Sequence, residues 1–597
     1  MAESMSAVYR RELSLADLPE AAGAGRAWAV LGLILAACAV PLVVSLELQD
    51  TRHTMETIAL MSSQETWLRQ HGWQDIEADP QAWLMPTRNG EPRIVKPPML
   101  VWLHMLAWWD LSPGTSTIEQ LTQRARLVAA GLGLVLVGAT YWAGLTLGGL
   151  RLATTAGLAA GSMWFVQYQS RTASYDIHMA AWASVAVAAG VWAAGLGAAR
   201  PGSIRRLAGW SVYSLALTLA LLSKGPLALV VTLLPMLAAW WLATDRRRTV
   251  EVGLVLGTVI ATALWAAWYA QAFVAASQVT ATLAREYIAP RPEFQTPLYY
   301  LALIGLVMPW GMWMVAGLFE PFVRAEGARR WRLLWPWLWF VLIFVFFSIP
   351  PAKQKRYILP ITPAAALLAA QVFCDHAMLA RRGMPDAGGR VLAWLHWIGL
   401  LAVSAALPWL WALQPWLVER GWIDEAVTSS LSWPVAAGVG ALLVGTAAGG
   451  AWLHAKRDRA VAGAVATAVW MVVFSTTFWW TYTRGPDQRH AIRDDAELLT
   501  ATVGPAPLRY FTRTPDAEGI NEELLFFARR IAPEIDEAAL ILLREAAVGP
   551  VFVITHTDPA YFDTMLARGY EHVRRFDADR GVQMDLWRAS PLSSGPP

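Results

Sequence analysis

Long apolar runs alternate with short polar breaks along most of the chain. Thirteen runs stand out, near 27–46, 127–148, 152–169, 176–198, 206–222, 225–243, 250–272, 298–318, 332–349, 357–374, 390–412, 433–453 and 463–482. Most are close to the roughly 20 residues that a helix needs to cross a hydrocarbon layer. The pattern therefore predicts a multi-pass α-helical membrane protein with about 13 transmembrane helices. Two stretches depart from it. Residues 47–126 form a long, largely polar loop that closes on the aromatic run KPPMLVWLHML. After residue 485 the period changes: LRYFT (508–512) and PVFVITH (550–556) read as short buried strands. INEELLFFARRIA (520–532) and DPAYFDTMLARG (558–569) read as amphipathic helices, and GVQMDLWR (581–588) as a last strand. The expected division is a polar N-terminal tail (1–26), a transmembrane domain (27–484) and a small soluble α/β domain (485–597).

Charge between the runs sets the expected orientation. The loops at 199–206, 244–249, 324–332, 380–383 and 455–459 are all basic, and all fall on the N-terminal side of a thirteen-span zigzag. Positive loops mark the cytoplasm, so the N-terminus is expected inside. An odd number of crossings then puts the 485–597 domain outside the plasma (inner) membrane. The N-terminal 25 residues lack the layout of a cleavable signal, and the first run is long enough to remain as an anchor.

Composition narrows the function classes. Of 597 residues, 56% are hydrophobic and 16% charged, and a net charge of +3 without a basic, aromatic-interleaved patch gives no case for nucleic acid. The 34 Trp suit a protein with long lipid–water boundaries. Cys38 and Cys374 both lie inside apolar runs, so neither a disulfide framework nor a thiolate metal site is expected.

The candidate chemistry sits where ionisable groups crowd the outer ends of the runs, a costly placement unless they are paired or line a polar cavity. Asp50 and Arg52 follow the first run, and Lys96, with Pro97 and Pro98 behind it, precedes the aromatic one. Arg171 and Asp176 flank the turn between two runs. Arg285 lies in the loop 273–297, and Lys353, Lys355, Arg356 and Tyr357 crowd one turn after Pro350-Pro351. Positive charge gathered on the face where the inside bias would not put it points to an anionic ligand, most plausibly phosphate. Each residue also has a plainer reading. Lys96 can snorkel, Asp176 can serve a helix dipole, the 353–356 cations can cap a helix end, and Lys224 can be structural.

Taken in order, these motifs resemble the GT-C glycosyltransferases that use lipid-linked sugars. They are the acidic residue after the first helix with Arg two residues on, the N-G-x-P loop (89–92) followed by K-P-P (96–98), Arg171 five residues before Asp176, SKGPLAL (223–229), Pro309-Trp310, and KQKRYILPITP (353–363). The nearest resemblance is to bacterial aminoarabinose transferases acting on lipid A and to protein O-mannosyltransferases. It implies an inverting transfer of a sugar from a polyprenyl-phosphate donor to an acceptor hydroxyl, on a lipid A-like glycolipid or a protein, at the outer face. It further implies Asp50 as the base, with Asp176 a second acidic group. Lys96, Arg285, Lys353, Arg356 and Tyr357 would hold the donor phosphate, and Arg52 and Arg171 would support them.

The chain departs from that family at Thr51 and Val95, where acidic residues are common, and it has no His in 273–297. No cofactor is therefore expected, and a divalent metal would lack its usual donors. Two other classes fit less of the pattern. A transporter or flippase of a lipid-linked anion should show inverted repeats, and a lipid-linked oligosaccharide ligase would differ at the acceptor end.

Overall fold

The computed structural model describes residues 23–48, 54–73, 76, 78–93, 95–195, 202–242, 247–275, 295–323, 327–381, 386–421, 432–455, 460–483, 489–513, 520–545, 549–576 and 583–589. The chain divides into two compact units, Met1–Leu46 with Arg126–Trp268 and Ala289–Gly485, and Glu47–Ala125 with Tyr269–Ile288 and Pro486–Pro597.

The described elements of the first unit are all helices, and they follow the apolar runs. Among the described residues, nine helices are long and apolar enough to span a membrane. One bent pair makes a tenth, and Leu227–Leu242 and Leu333–Ser348 are shorter. The 45-residue helix Ile118–Ser162 is two helices joined at Gly148 and Gly149, whose backbones are not helical. The chain turns back there: a Cβ on Gly144 would lie 2.8 Å from the Cα of Ala153. Only small residues allow so close a pass.

The run 298–318 was expected as one straight span and is not one. Leu298–Leu306 and Gly311–Val323 meet at 117°. A Cβ on Gly311 would be 2.2 Å from the carbonyl oxygen of Ile304, so the corner needs glycine. At the centre lies Tyr175–Ala194, buried along most of its length and rich in alanine. Ser203–Lys224 closes on it where Gly209 faces Ala193 (a Cβ would meet Cβ at 2.8 Å). This small-residue seam fixes the helix that carries Asp176 against the helix that ends in Lys224.

The second unit holds the polar loop together with the C-terminal α/β domain. Its β-hairpin pairs β1 (Thr87–Arg88) antiparallel with β2 (Glu91–Pro92). A five-stranded sheet follows: β3 (Leu508–Phe511), β4 (Glu534–Ile535), β5 (Val551–His556), β6 (Glu571–Phe576) and β7 (Met584–Ala589), in the order β4-β3-β5-β7-β6. β3 is parallel to both β4 and β5; β7 is antiparallel to β5 and β6. One face packs Leu508, Tyr510, Ile554 and Leu586 beneath Leu499 and Leu524; the other packs Phe511, Val553 and Trp587 beneath Leu540, Tyr561 and Met565.

The expected strands at 508–512, 550–556 and 581–588 and the two expected helices are present. The charged edge strand β6 and the helices Arg489–Val503 and Glu537–Glu545 are additions. Charge on an edge strand deters pairing with other chains, and it also hides the strand from a reading of hydrophobic alternation.

The loop after residue 47 differs more. Its polar residues include the 18-residue helix Thr54–His71, in which Ser62, Ser63, Gln64, Glu65 and Thr66 are buried. Hydroxyls fold back onto the helix, Ser63 onto the carbonyl of Ala59 at 2.9 Å and Thr66 onto that of Ser62 at 2.8 Å, which lets them leave water. Met61 of this helix belongs to the same core as Leu499, Leu508 and Ile554.

Candidate active site

In the first unit, one carboxylate draws together groups from three elements. Asp176 lies in the first turn of Tyr175–Ala194, where a negative charge suits the helix dipole. Its Oδ1 accepts from the Lys224 ammonium and its Oδ2 lies 3.4 Å from Nε of Arg356. The side chains of Asp176, Lys224 and Arg356 are 5%, 8% and 12% exposed, so the cluster is shielded from water.

Lys224 is delivered by a sharp stop. Ser203–Lys224 ends at Gly225, whose φ of 67° and ψ of −150° suit glycine alone. The Gly225 amide closes on the carbonyl of Leu221 at 2.8 Å, and Pro226 leads straight into the next helix, Leu227–Leu242. Arg356 and Tyr357 come from the tight helical turn Lys355–Ile361. The Lys224 ammonium lies 4.6 Å from the Tyr357 ring centre and the Arg356 guanidinium 5.3 Å from it. The ring therefore packs against two cations. Asp176, Lys224 and Arg356 together carry one net positive charge, an arrangement that favours an anion.

Lys353 and Arg171 make contacts with the frame. Lys353, expected on phosphate, is 2% exposed, and its ammonium donates to the carbonyls of Pro350 (2.6 Å) and Gln295 (2.9 Å). Lys353 thus caps the backbone left open by the Pro350-Pro351 break, the plainer of its two readings. Tyr300 braces the same turn by donating to the Gln354 carbonyl at 3.3 Å.

Arg171 is fully buried, donates to the Pro41 carbonyl at 2.8 Å and lies 4.6 Å over Trp479. Arg126, which the sequence did not single out, is equally buried and donates to the carbonyl of Leu46 at 3.1 Å. Arg171 thus holds the last turn of the first helix, Ala24–Val43, whose carbonyls lack partners within it, and Arg126 holds the chain just beyond that helix. An arginine at the head of an apolar run was the available signal. Lys224 had one as well, its charge beside a helix stop, but its partner is 48 residues away.

Asp50, Arg52 and Arg285 lie outside the described residues. Lys96 belongs to the second unit, half-buried between Val95, 2% exposed, and Pro97. Among the described residues, no group of three or more His, Cys, Asp or Glu side chains could hold a metal ion.

The hairpin ahead of Lys96 is tied down by Glu65. Its Oε1 accepts from Thr87 Oγ1 at 2.9 Å and from the Gly90 amide, and its Oε2 accepts from the Asn89 amide at 2.7 Å. Burial pushes the Glu65 carboxyl above the ordinary carboxylate range, with these donors and the charge of Arg69 pulling the other way. Glu522, ion-paired with Arg88 of the same hairpin, is also raised, chiefly by burial.

No family profile matches the chain. A curated relative from Sodalis glossinidius (strain morsitans), undecaprenyl phosphate-alpha-4-amino-4-deoxy-L-arabinose arabinosyl transferase 1, is 26% identical over 386 residues. That alignment covers 60% of this chain and 66% of the relative, just under two thirds of its length. The crystal structure of ArnT from Cupriavidus metallidurans in the apo state superposes with a TM-score of 0.68 at 19% identity, over 96% of this chain and 100% of that one. The same protein bound to undecaprenyl phosphate gives 0.65 over the same shares. The fold is the one seen in that ArnT. It extends across both units, and the resemblance read from the motifs is matched by a relative and by a fold.

Proposed function

We propose that this chain is an inverting glycosyltransferase that moves a sugar from a polyprenyl-phosphate donor to a hydroxyl of a lipid A-like acceptor at the outer face of the inner membrane. The observation that carries this reading is the buried Asp176–Lys224–Arg356 cluster packed on Tyr357, which has a net positive charge at the end of apolar helices. It stands on a fold shared with a protein whose structure was solved with undecaprenyl phosphate. The aminoarabinosyl relative makes 4-amino-4-deoxy-L-arabinose the first sugar to try and undecaprenyl phosphate its first carrier.

In the proposed reaction the acceptor oxygen attacks the anomeric carbon while Asp50 takes its proton. The carbon–oxygen bond to the donor phosphate breaks, and that phosphate leaves with the electron pair. Attack from the opposite side inverts the anomeric centre. Charge grows on the leaving phosphate, so fixed cations lower the barrier if they are in place beforehand. Lys96 and Arg285 keep the phosphate-binding role that the resemblance gives them, Arg356 and Tyr357 share it, and Lys224 joins them. Asp176 sets Lys224 and Arg356 in place. The basic loops favour a cytoplasmic N-terminus and an outer 485–597 domain.

Mass spectrometry of envelope lipids from cells with and without the chain tests this reading. An aminopentose on lipid A that disappears with the gene supports it. Unchanged lipid A and glycoproteins alongside altered transport of a lipid-linked anion would replace it with the flippase reading.

A further inference from the structure

We infer that Glu65 and Asn89 are positioning residues for Lys96, acting through the hairpin Thr87–Pro92. The inference rests on the proposed phosphate-binding role of Lys96. Asn89 and Gly90 form the hairpin's two-residue turn, both at positive φ (53° and 84°), as the tight turn between right-twisted strands requires.

Two independent anchors hold that turn. From one side, the buried Glu65 carboxylate accepts from Thr87, Asn89 and Gly90, three anchor points within four residues. From the other, the Asn89 side chain pairs with the backbone of Ala532: Nδ2 donates to its carbonyl at 2.5 Å, and Oδ1 accepts from its amide at 2.7 Å. That segment is itself fixed, because the next residue, Pro533, accepts from the Tyr510 amide of β3 at 3.0 Å. Space is tight as well, since a Cβ on Gly90 would lie 3.1 Å from Cγ of Pro533.

The stretch from hairpin to lysine is short. The Arg93 amide extends the hairpin by donating to the Pro86 carbonyl at 2.8 Å, and Lys96 follows three residues later. Three residues span at most about 11 Å, and buried Val95 takes up part of that reach. Beyond Lys96, Pro97 and Pro98 stiffen the backbone and lead into the helix Met99–Ala107. His104 of that helix bonds Ser63 at 2.8 Å, and Ser63 lies two residues before Glu65 in the helix Thr54–His71. The Thr54–His71 helix thus grips the chain on both sides of Lys96.

A buried carboxylate with three donors could simply hold a fold together, so the test must separate holding from aiming. The full-length protein in detergent or nanodiscs is titrated with undecaprenyl phosphate, and its thermal midpoint is recorded. Glu65→Gln turns one acceptor into a donor facing the Asn89 amide, and Asn89→Ala removes the link to Ala532. Each is expected to weaken binding about tenfold, since small misplacements are costly. In the Lys96→Ala background each should add less than about twofold, because residues acting through one group are non-additive. Asn89→Asp keeps the acceptor for the Ala532 amide and should recover part of the loss.

A full tenfold loss on top of Lys96→Ala would overturn the inference, as would lower thermal midpoints with unchanged affinity. If Lys96→Ala alone binds normally, the phosphate role of Lys96 falls and this inference falls with it. If Lys96→Ala fails while the hairpin variants bind normally, only the positioning role falls.

Discussion

At the scale of single residues, the decisive fact is that Asp176 faces two cations in a water-poor place. Removing one member of such a set strands the others, at a cost on the order of 3 kcal/mol. Asp176→Asn is expected to lower the thermal midpoint in detergent by several degrees. Asp176→Asn with Lys224→Met should recover part of that loss, and a double variant worse than the sum would contradict the pairing. Asp50→Asn and Lys96→Ala are expected to abolish transfer while the protein still inserts and folds. That is checked by turnover alongside size-exclusion behaviour, and full-rate turnover by Asp50→Asn would remove the base assignment.

The sequence singled out Asp176, Arg356 and Tyr357, which the structure brings together, because ionisable residues bordering long apolar runs are few. It could not show that Lys224 completes the set, nor that Lys353 would be taken up by carbonyls of Pro350 and Gln295. Such pairings depend on which helix ends meet, information that periodicity does not hold.

At the scale of elements, the apolar runs map onto helices because membrane spans need length and apolarity and little else. Corners were harder to foresee. The reversal at Gly148-Gly149 and the 117° bend before Gly311 turn on glycines without a distinctive context. The helix Thr54–His71 was hidden for another reason: serines and threonines that look solvated satisfy themselves against their own backbone and are buried.

This helix and its hairpin should also impose a pH dependence on the second unit. Glu65 and Glu522 both have raised pKa values in the folded state. The folded form holds those protons more tightly than the unfolded chain. Stability is therefore greatest below the unfolded pKa and is lost as pH rises toward the raised values. Thermal midpoints measured from acid to neutral pH should fall with rising pH for these groups, and Glu65→Gln should flatten that slope. A slope unchanged by Glu65→Gln would show that this carboxyl ionises as it does in the unfolded chain.

At the scale of the whole molecule, the C-terminal domain is no detachable appendage. Its core takes in Met61 from the Thr54–His71 helix, and Arg529 donates to the carbonyls of Pro113 (2.7 Å) and Ser116. Chain ending before residue 486 would expose Met61 and leave Asn89 without Ala532. Truncation there is expected to yield a protein that accumulates poorly or cannot transfer sugar; normal accumulation and full activity would contradict the shared core. The sequence showed the α/β character of the tail but not this partnership, since Met61 and Asn89 are more than 400 residues from the groups they meet.

The most direct measurement is transfer itself. The purified full-length chain is incubated with synthetic undecaprenyl phosphate-linked 4-amino-4-deoxy-L-arabinose and lipid A, and both lipids are weighed by mass spectrometry. The expected result is lipid A heavier by one aminopentose, with undecaprenyl phosphate released in equal amount and no product from Asp50→Asn. Lipid A left unmodified, with no other hydroxyl acceptor glycosylated from any polyprenyl-phosphate sugar, would contradict a glycosyltransferase role.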